Sequence, residues 1–359
     1  MVMVTIFEIM QEAVERDASD IFITVGVPPT FKLHGLLKPM EGARKLTPAD
    51  TEDYAKQLFI KEKDLHAFLD QGERDFSLSL PDIGRFRVNV FTQRGSIAVS
   101  IRRVYTILPN PEELGLPGTV MELAGKLKGL VLVTGPTGCG KTTTLAALID
   151  QINKERACHV LTLEDPIEYL HHHNKSIINQ REIGTDSQSY QMALRAALRQ
   201  SPDVIQIGEM RDLETMSIAL TAAETGHLVL STLHTVGSAK TIDRIIDVFP
   251  SDQQQQVRVQ LSTVLLAVVS QQLLPSKSVD AGRVPAFEVM IVNSAIRNMI
   301  REGKTPQIDG VIQMNRAQGM ISMDTSIADL YKRGLISIED AMHYSVNPET
   351  LQRYIGLQA

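Results

Sequence analysis

The sequence predicts an α/β protein in which a smaller α+β domain precedes a doubly wound parallel sheet. Three observations support this fold class. A glycine-rich loop, residues 135–140, lies between an apolar strand and a helix. Beyond residue 119, short continuous apolar runs, typical of buried parallel strands, alternate with helical segments. Residues 106–118, rich in proline and glycine, separate this region from an N-terminal region of alternating strands.

The composition favours a folded chain with more than one core. At 359 residues and 43% hydrophobic content, two domains are the natural expectation. A net charge of −6 without a long basic run disfavours nucleic-acid binding. The two cysteines, Cys139 and Cys158, have neither disulfide-framework nor zinc-site spacing, which fits a reducing cytosol. We find no signal peptide and no apolar run of the roughly eighteen residues needed to span a bilayer, so we expect no direct membrane insertion.

The N-terminal region, residues 1–105, is predicted to be an α+β domain with antiparallel strands. Apolar residues at helical spacing predict a helix over residues 4–16, and Thr47 followed by Pro48 predicts a second helix that continues to residue 69. Strands are predicted over residues 20–25, 30–34, 75–80, 85–91 and 96–103. Because the prolines and glycines of residues 106–118 resist both helix and sheet, we place the domain linker there.

The second region divides into a sheet-forming part and a helical part. Apolar runs predict parallel strands in residues 119–293, over residues 130–133, 158–163, 203–207 and 228–232. Residues 253–256 are expected to open a helix. From residue 294 to residue 359 helical periodicity dominates, with helices over residues 323–332 and 337–344, which predicts a C-terminal helical subdomain.

The loop after the first of these strands has the residues of a phosphate-binding loop. Its glycines allow positive φ, so successive backbone N–H groups can face phosphate oxygens at a helix N-terminus. We expect Lys141 to reach the β- and γ-phosphates and the Thr142 hydroxyl to bind Mg²⁺. The predicted nucleotide-binding segment is Gly135, Pro136, Thr137, Gly138, Cys139, Gly140, Lys141, Thr142 and Thr143.

Acidic residues follow two of the apolar runs, at the strand ends where ligands bind in parallel sheets. Glu164, Asp165 and Glu168 follow one run, and Glu209 follows the next. We assign Glu209 to holding the water shell of the metal ion and Glu164 to orienting or activating the attacking water, although these two roles are exchangeable. Asp165 and Glu168 are equally consistent with structural roles. A phosphate loop with acids at two neighbouring strand ends predicts an NTP hydrolase.

Two histidines and two arginines have competing structural explanations. His234 lies at the nucleotide end of its predicted strand and is a candidate γ-phosphate sensor. His227 flanks the other end of that strand, where a structural or subunit-contact role is as reasonable. Arg195 and Arg199 are four residues apart on a helix predicted over residues 189–200, and they are either solvated or at a subunit boundary.

Two further features involve metal-binding or redox-active residue types. Residues 171–173 are three consecutive histidines, but adjacent positions in a loop cannot all converge on one ion, so we expect no metal there. Cys139 is either a tolerated small residue or an oxidisable thiol, because Lys141 and a helix N-terminus would lower its pKa.

Several strings of the sequence resemble those of the type IV pilus retraction ATPases, the PilT family of the secretion ATPase superfamily. The likeness extends over nearly the whole chain and rests on residues 18–20, 131–144, 163–169, 179–182, 208–212 and 225–235. In that family these segments include the Walker A, Asp box, Walker B and His box motifs. A further string resembles the C-terminal signature of retraction enzymes, with methionine where leucine is usual: Ala295, Ile296, Arg297, Asn298, Met299, Ile300, Arg301 and Glu302.

The resemblance implies a RecA-like ATPase domain behind a PAS-like N-terminal domain, in a homohexamer that binds ATP and Mg²⁺ between domains. It implies a motor for pilus retraction and twitching motility, located in the cytoplasm and docked at the inner membrane through a pilus platform protein, with a paralogous ATPase as a further partner. It also implies arginines that reach across the subunit boundary, for which the candidates are Arg85, Arg87, Arg94, Arg102 and Arg103. Because such an arginine contributes roughly 10³ to 10⁵ in turnover, we expect an isolated subunit to hydrolyse ATP slowly.

The core motifs are compatible with three further functions. Pilus assembly ATPases and type II secretion ATPases share these motifs, but they usually carry a longer N-terminal region and a tetracysteine zinc module. A non-hydrolysing, nucleotide-gated accessory subunit and a nucleic-acid translocase are the second and third of these functions. The sequence departs from the family pattern at Cys139, Ser201 and Gln206, and Gln206 in a predicted buried strand needs a polar partner or an exposed face.

Overall fold

The computed structural model describes residues 4–33, 35–104, 108, 110–278 and 282–356. The chain divides into two compact units, residues 1–107 with 168–170, and residues 108–167 with 171–359. The predicted linker includes residues 106, 107 and 109, and the predicted strand 30–34 includes residue 34, all of which lie outside the described residues. The linker therefore stays a prediction.

The first unit is an α+β domain built on an antiparallel sheet. Its helices are α1 (Ile6–Glu15), α2 (Pro48–Leu58) and α3 (Glu62–Gln71), and its strands are β1 (Asp20–Ile23), β2 (Thr30–Leu33), β3 (Leu36–Pro39), β4 (Glu73–Leu80), β5 (Gly84–Gln93) and β6 (Ser96–Val104). The strand order is β3-β2-β1-β6-β5-β4. Buried residues of the helices and the sheet, including Ile6, Phe31 and Phe86, share one core. The predicted class of this region is confirmed.

Two details of the first unit differ from the prediction. The single helix predicted from residue 47 to residue 69 is two helices, because the chain leaves the helical conformation at Phe59. This break lets the Phe59 ring pack 5.4 Å from the Phe68 ring and 5.5 Å from the Phe76 ring, measured between centroids. Strand β3 was not predicted, and its four residues are all exposed at the sheet edge.

The second unit is a doubly wound α/β domain followed by helices. Its sheet-forming part contains α4 (Gly118–Met121), β7 (Gly129–Thr134), α5 (Lys141–Glu155), β8 (His159–Glu164), β9 (Ile177–Glu182), α6 (Tyr190–Ala197), β10 (Val204–Ile207), α7 (Leu213–Glu224), β11 (Leu228–Leu233), α8 (Ser238–Asp247), α9 (Gln254–Val264), β12 (Leu265–Pro275) and β13 (Arg283–Ile291). The C-terminal helices are α10 (Ser294–Glu302), α11 (Ile308–Met314), α12 (Met323–Lys332), α13 (Ile338–Tyr344) and α14 (Pro348–Ile355).

The sheet of the second unit has, within the described residues, the strand order β13-β12-β7-β11-β10-β8-β9. All neighbouring pairs are parallel except β12 and β13. Along β7, Leu130 and Leu132 join the core that includes α6 to α9, whereas Val131 and Val133 join the core that includes α5. Helices therefore cover both faces, as predicted for a doubly wound sheet.

Some elements of the second unit were predicted and others were not. The four predicted strands correspond to β7, β8, β10 and β11, and residues 253–256 lie where α9 begins. Helix α12 has the predicted bounds, and Ser337 accepts a hydrogen bond from the Asp340 N–H as the N-cap of α13. Strands β9, β12 and β13 were missed, because β9 is half exposed and β12 carries three consecutive polar residues, 270–272. Over the described part of the chain, no helix is both long and apolar enough to cross a membrane.

Candidate active site

The register of the parallel strands brings the predicted chemistry to one edge of the sheet. Leu163 of β8 and Ser231 of β11 both pair with Ile207 of β10, and Leu233 pairs with Thr134 of β7. The residues one or two positions beyond these pairs therefore emerge side by side at the carboxyl ends of the strands, where α/β folds bind ligands. From one neighbour to the next, they are Glu164, Glu209, His234 and Gly135.

The phosphate-binding loop connects β7 to α5 with the backbone that its glycines permit. Gly135, Gly138 and Gly140 have φ values of 142°, 78° and 90°. A Cβ at Gly135 would lie 2.2 Å from the Gln271 carbonyl oxygen, so a side chain is excluded there on steric as well as conformational grounds. Thr142 and Thr143 occupy the first turn of α5, which starts at Lys141.

The Lys141 ammonium group lies against its own loop and next to His234. It donates hydrogen bonds to the carbonyl oxygens of Gly135 (2.9 Å) and Pro136 (3.0 Å), and it lies 3.5 Å from Nδ1 of His234. On the other side of the ring, Nε2 of His234 lies 3.1 Å from Oε2 of Glu209. Because an ammonium group only donates, Nδ1 acts as acceptor and Nε2 carries the proton toward Glu209. His234 thus links the loop lysine to the carboxylate.

The two candidate acids have different partners. Glu209 is held by His234 and by an ion pair with Nε of Arg211. Glu164 is buried, and its Oε1 accepts hydrogen bonds from the Thr162 hydroxyl at 2.6 Å and from Nε2 of Gln180 at 3.1 Å. One carboxylate is therefore compensated by cationic and imidazole groups, and the other is positioned by neutral donors.

Tyr190, at the start of α6, lies among the acids of this edge. Burial raises the pKa of its phenol, and the negative charges of Asp165, Glu209 and Glu164 raise it further. The phenol oxygen lies 2.6 Å from where a Cβ on Gly208 would be, so glycine is required at that position. Tyr190 remains a protonated donor beside the carboxylates at neutral pH.

The remaining residues of the predicted boxes are Asp165, Glu168 and His227. Asp165 and Glu168 are exposed in the segment that leaves β8. His227 lies at the amino end of β11, opposite His234, and its Nδ1 lies 2.9 Å from the Ala222 carbonyl oxygen. This contact favours the structural explanation for His227.

Of the two explanations for Cys139, the oxidisable thiol with a lowered pKa is contradicted by the structure. Burial raises its pKa, and this effect is larger than the lowering by Lys141 and by backbone N–H groups. Cys139 is only 3% exposed, and its sulfur would lie 2.8 Å from a Cβ on Gly135. A buried, protonated thiol is inert, so the structure favours the explanation of a tolerated small residue.

The candidate inter-subunit arginines differ in their contacts. Arg102 pairs with Asp20 at 2.8 Å, Arg103 pairs with Asp17 at 2.9 Å, and Arg195 pairs with Glu214 at 2.5 Å. Helix α6 ends at Ala197, two residues before Arg199, so the predicted helix over residues 189–200 is too long. The other three candidates are Arg85, which contacts Ser79, and the exposed Arg87 and Arg94.

The string that resembles the retraction signature forms most of α10. Ile296 and Ile300 are buried and pack in the core of the second unit, and α10 is capped by Asn293 and ends at Gly303. The polar members of the string, Arg297, Asn298, Arg301 and Glu302, are exposed. The two buried isoleucines therefore fix the position of the helix, and its polar residues form an exposed surface.

Sequence reasoning missed Thr162, Gln180, Tyr190 and Gln271 as residues of this site. Thr162 carried a usable signal, since it lies two positions before Glu164 and therefore on the same face of β8. Gln271 carried a weaker one, as a polar residue in an otherwise apolar strand. Gln180 lies in the string 179–182 that carries the family resemblance, but no role was assigned to it, and Tyr190 had no local signal. Only the pairing of β9 with β8 and the packing of α6 bring these two residues to the acids.

The chain is similar to known proteins over most of its length. A family model described as Type II/IV secretion system protein matches residues 1–343. The type IV pilus retraction ATPase PilT of Pseudomonas aeruginosa is 42% identical over 96% of this chain and 99% of its own length. The type IV pilus ATPase PilU of the same organism is 39% identical over 98% of this chain and 91% of its own length. A crystal structure of the pilus retraction motor PilT with bound ADP superposes with a TM-score of 0.91, at 49% identity over 98% of this chain and all of that one.

Proposed function

The chain belongs to the Type II/IV secretion system protein family and, within it, to the PilT retraction ATPases, and from this premise we propose that it is an ATP-hydrolysing motor for type IV pilus retraction and twitching motility. The observation that carries the proposal is the connection of Lys141 to Glu209 through His234, next to the buried carboxylate of Glu164. A lysine, a sensor and two acids at adjoining strand ends are the parts that ATP hydrolysis requires.

In the proposed reaction, Lys141 moves from the carbonyl oxygens of its own loop to the β- and γ-phosphates of ATP. Since His234 contacts both Lys141 and Glu209, this movement alters the hydrogen bond on Glu209 and reports the presence of the γ-phosphate. Glu164, positioned by its two neutral donors, orients the attacking water and accepts its proton. The phenol of Tyr190 stays protonated during the reaction and remains a hydrogen-bond donor beside the acids.

The residues present fit a magnesium ion. Thr142 lies next to Lys141 in the first turn of α5, and the Glu209 carboxylate is connected to Lys141 through the imidazole of His234. Both side chains therefore offer hard oxygen donors where the triphosphate would end. Thr142 would contact the ion directly and Glu209 would hold its water shell. When bound, the ion neutralises charge that develops on the phosphate oxygens.

We propose a homohexamer in the cytoplasm, docked at the inner membrane through a platform protein of the pilus machinery, with a paralogous ATPase as a further partner. Arginines of a neighbouring subunit would complete the site. Arg87 and Arg94 are the better candidates, because both are exposed, whereas Arg102 and Arg103 would first have to leave Asp20 and Asp17.

ATPase assays on the assembled protein with Glu209→Gln test the motor proposal. We expect turnover to fall by roughly 10²-fold or more, because the neutral amide is a poor acceptor for the metal's water shell. Equal turnover in the wild type and the variant would refute the proposal, and the absence of turnover in both would favour a non-hydrolysing accessory subunit. Deletion in the source organism separates retraction from assembly: excess surface pili without twitching support retraction, and bald cells support an assembly ATPase.

A further inference from the structure

Gln271 is a buried polar residue next to the phosphate-binding loop. It is 2% exposed and belongs to β12, the neighbour of β7 in the sheet. The residue before it, Ser270, pairs with Thr134, the last residue of β7. Gln271 therefore lies beside Gly135, the first residue of the loop.

One polar end of the Gln271 side chain contacts the phosphate-binding loop, and the other contacts the helix that follows the loop. Its Nε2 donates a hydrogen bond of 2.5 Å to the Cys139 carbonyl oxygen in the loop. Its Oε1 accepts a hydrogen bond of 2.8 Å from the hydroxyl of Thr144, in the first turn of α5. One side chain thus connects the loop and the helix to a strand of the sheet.

The bond to Cys139 orients a peptide group of the loop. In a trans peptide the carbonyl oxygen and the following N–H point in opposite directions, so holding the Cys139 carbonyl toward Gln271 directs the Gly140 N–H away from it. Gln271 also leaves little space for a side chain at the first and last glycines of the loop. A Cβ on Gly135 would lie 2.2 Å from the Gln271 carbonyl oxygen, and a Cβ on Gly140 would lie 3.1 Å from its Nε2.

We propose that Gln271 is a positioning residue that holds the phosphate-binding loop in its nucleotide-binding conformation. The inference rests on the proposed function, since it assumes that the loop binds a nucleotide. Without the amide, the buried Cys139 carbonyl and Thr144 hydroxyl lose their hydrogen-bond partner. Part of the free energy of nucleotide binding is then used to order the loop. The consequence is a loss of affinity for both ADP and ATP.

Gln271→Met tests the proposal, because methionine has a similar shape and neither donates nor accepts at the amide positions. Gln272→Met is the matched control. Gln272 is the next residue of β12, is 9% exposed and donates to the Tyr344 carbonyl oxygen at 3.3 Å, away from the loop. We expect Gln271→Met in the full chain to raise the Kd for ADP and the KM for ATP about tenfold, with a smaller change in kcat. Gln272→Met should leave both constants near the wild-type values, with a similar Tm.

The outcomes separate this inference from the proposed function. Wild-type protein without affinity for ADP or ATP overturns the proposed function and the inference with it. If the wild-type protein binds nucleotide and a folded Gln271→Met variant binds it equally well, the inference alone is overturned. An equal loss of nucleotide affinity in the Gln271→Met and Gln272→Met variants overturns it too. If Gln271→Met does not fold, Thr144→Val removes only the helix half of the connection. A KM for ATP raised about threefold supports the proposal and an unchanged one overturns it.

Discussion

Glu164 and Glu209 lie at the carboxyl ends of neighbouring strands of one sheet, but their hydrogen-bond partners differ. Glu164 is buried, and the contacts at its Oε1 are neutral donors from Thr162 and Gln180. Glu209 is bound by the guanidinium of Arg211 and by His234. Hydroxyl and amide donors hold the Glu164 carboxylate in one orientation, as a group that accepts a proton from water requires, whereas the guanidinium on Glu209 can be exchanged for the water shell of a metal ion. The contrast favours Glu164 as the base.

The segments that follow the two acids differ in length and in the contacts that hold them. After Glu164 the chain is tied down at several points: Glu182 accepts a hydrogen bond from the Ile167 N–H, and Asn153 of α5 accepts from the N–H groups of Asn174 and Ser176. After Glu209 only three residues precede α7, and one of them, Asp212, accepts a hydrogen bond from Gln191 of α6. The segment behind Glu164 is therefore fixed by distant side chains.

We expect the largest effect from Glu164→Gln, which tests the assignment of Glu164 as the base. We expect ATP turnover of the assembled protein to fall by roughly 10²- to 10⁴-fold, because an amide cannot take a proton from the attacking water. Affinity for ADP should change by less than about threefold, since Gln keeps the shape and can still accept from Thr162. Steady-state hydrolysis and a fluorescent ADP titration measure the two quantities.

Glu224→Gln, at the exposed end of α7, is the control and should leave turnover unchanged. Turnover of the Glu164→Gln variant within about threefold of wild type would contradict the assignment and transfer the role of base to Glu209.

A smaller effect is expected from Arg211→Gln, which tests whether the partner of Glu209 competes with magnesium. The Arg211 side chain is 73% exposed, and an exposed ion pair contributes at most ~1 kcal/mol. We therefore expect the magnesium concentration for half-maximal ATPase activity to fall by about two- to fivefold, with little change at saturating magnesium. Arg316→Gln, which removes a 3.8 Å pair with Asp329, is the control. A raised magnesium requirement would show instead that Arg211 supports the site.

A last effect concerns the pH dependence of stability and not turnover, and it arises in the segment behind Glu164. Burial lowers the pKa of His171 from 6.5 to about 4. The folded protein keeps the ring neutral while the unfolded chain takes a proton below its ordinary pKa. Stability is therefore complete above about pH 6.5 and is lost as the pH falls toward 4. We expect a loss of about 1 to 2 kcal/mol between about pH 7 and about pH 5.

Urea unfolding of wild type, His171→Gln and His172→Gln at both pH values measures this contribution. The His171 variant should lose most of the pH dependence, and the exposed neighbour His172 should retain it. Identical pH dependence in all three proteins would exclude His171 as its source.

The sequence alone determined the features that depend on local spacing. The glycines from Gly135 to Gly140 dictate a loop with positive φ wherever that segment lies, and Lys141 follows at the helix start whatever the rest of the chain does. Continuous apolar runs required buried parallel strands, and polar residues after them had to meet at one edge. The resemblance to retraction ATPases came from the same local strings.

The tertiary structure decided what depends on residues far apart in the chain. Thr144 and Gln271, separated by 127 positions, meet because β12 lies beside β7. Gln180 reaches Glu164 through strand pairing, and the break at Phe59 lets its ring pack against Phe76. Burial likewise reversed the expected pKa shift of Cys139. Local sequence carries no record of which distant groups desolvate or hydrogen-bond a side chain, since those contacts arise only when the chain is folded.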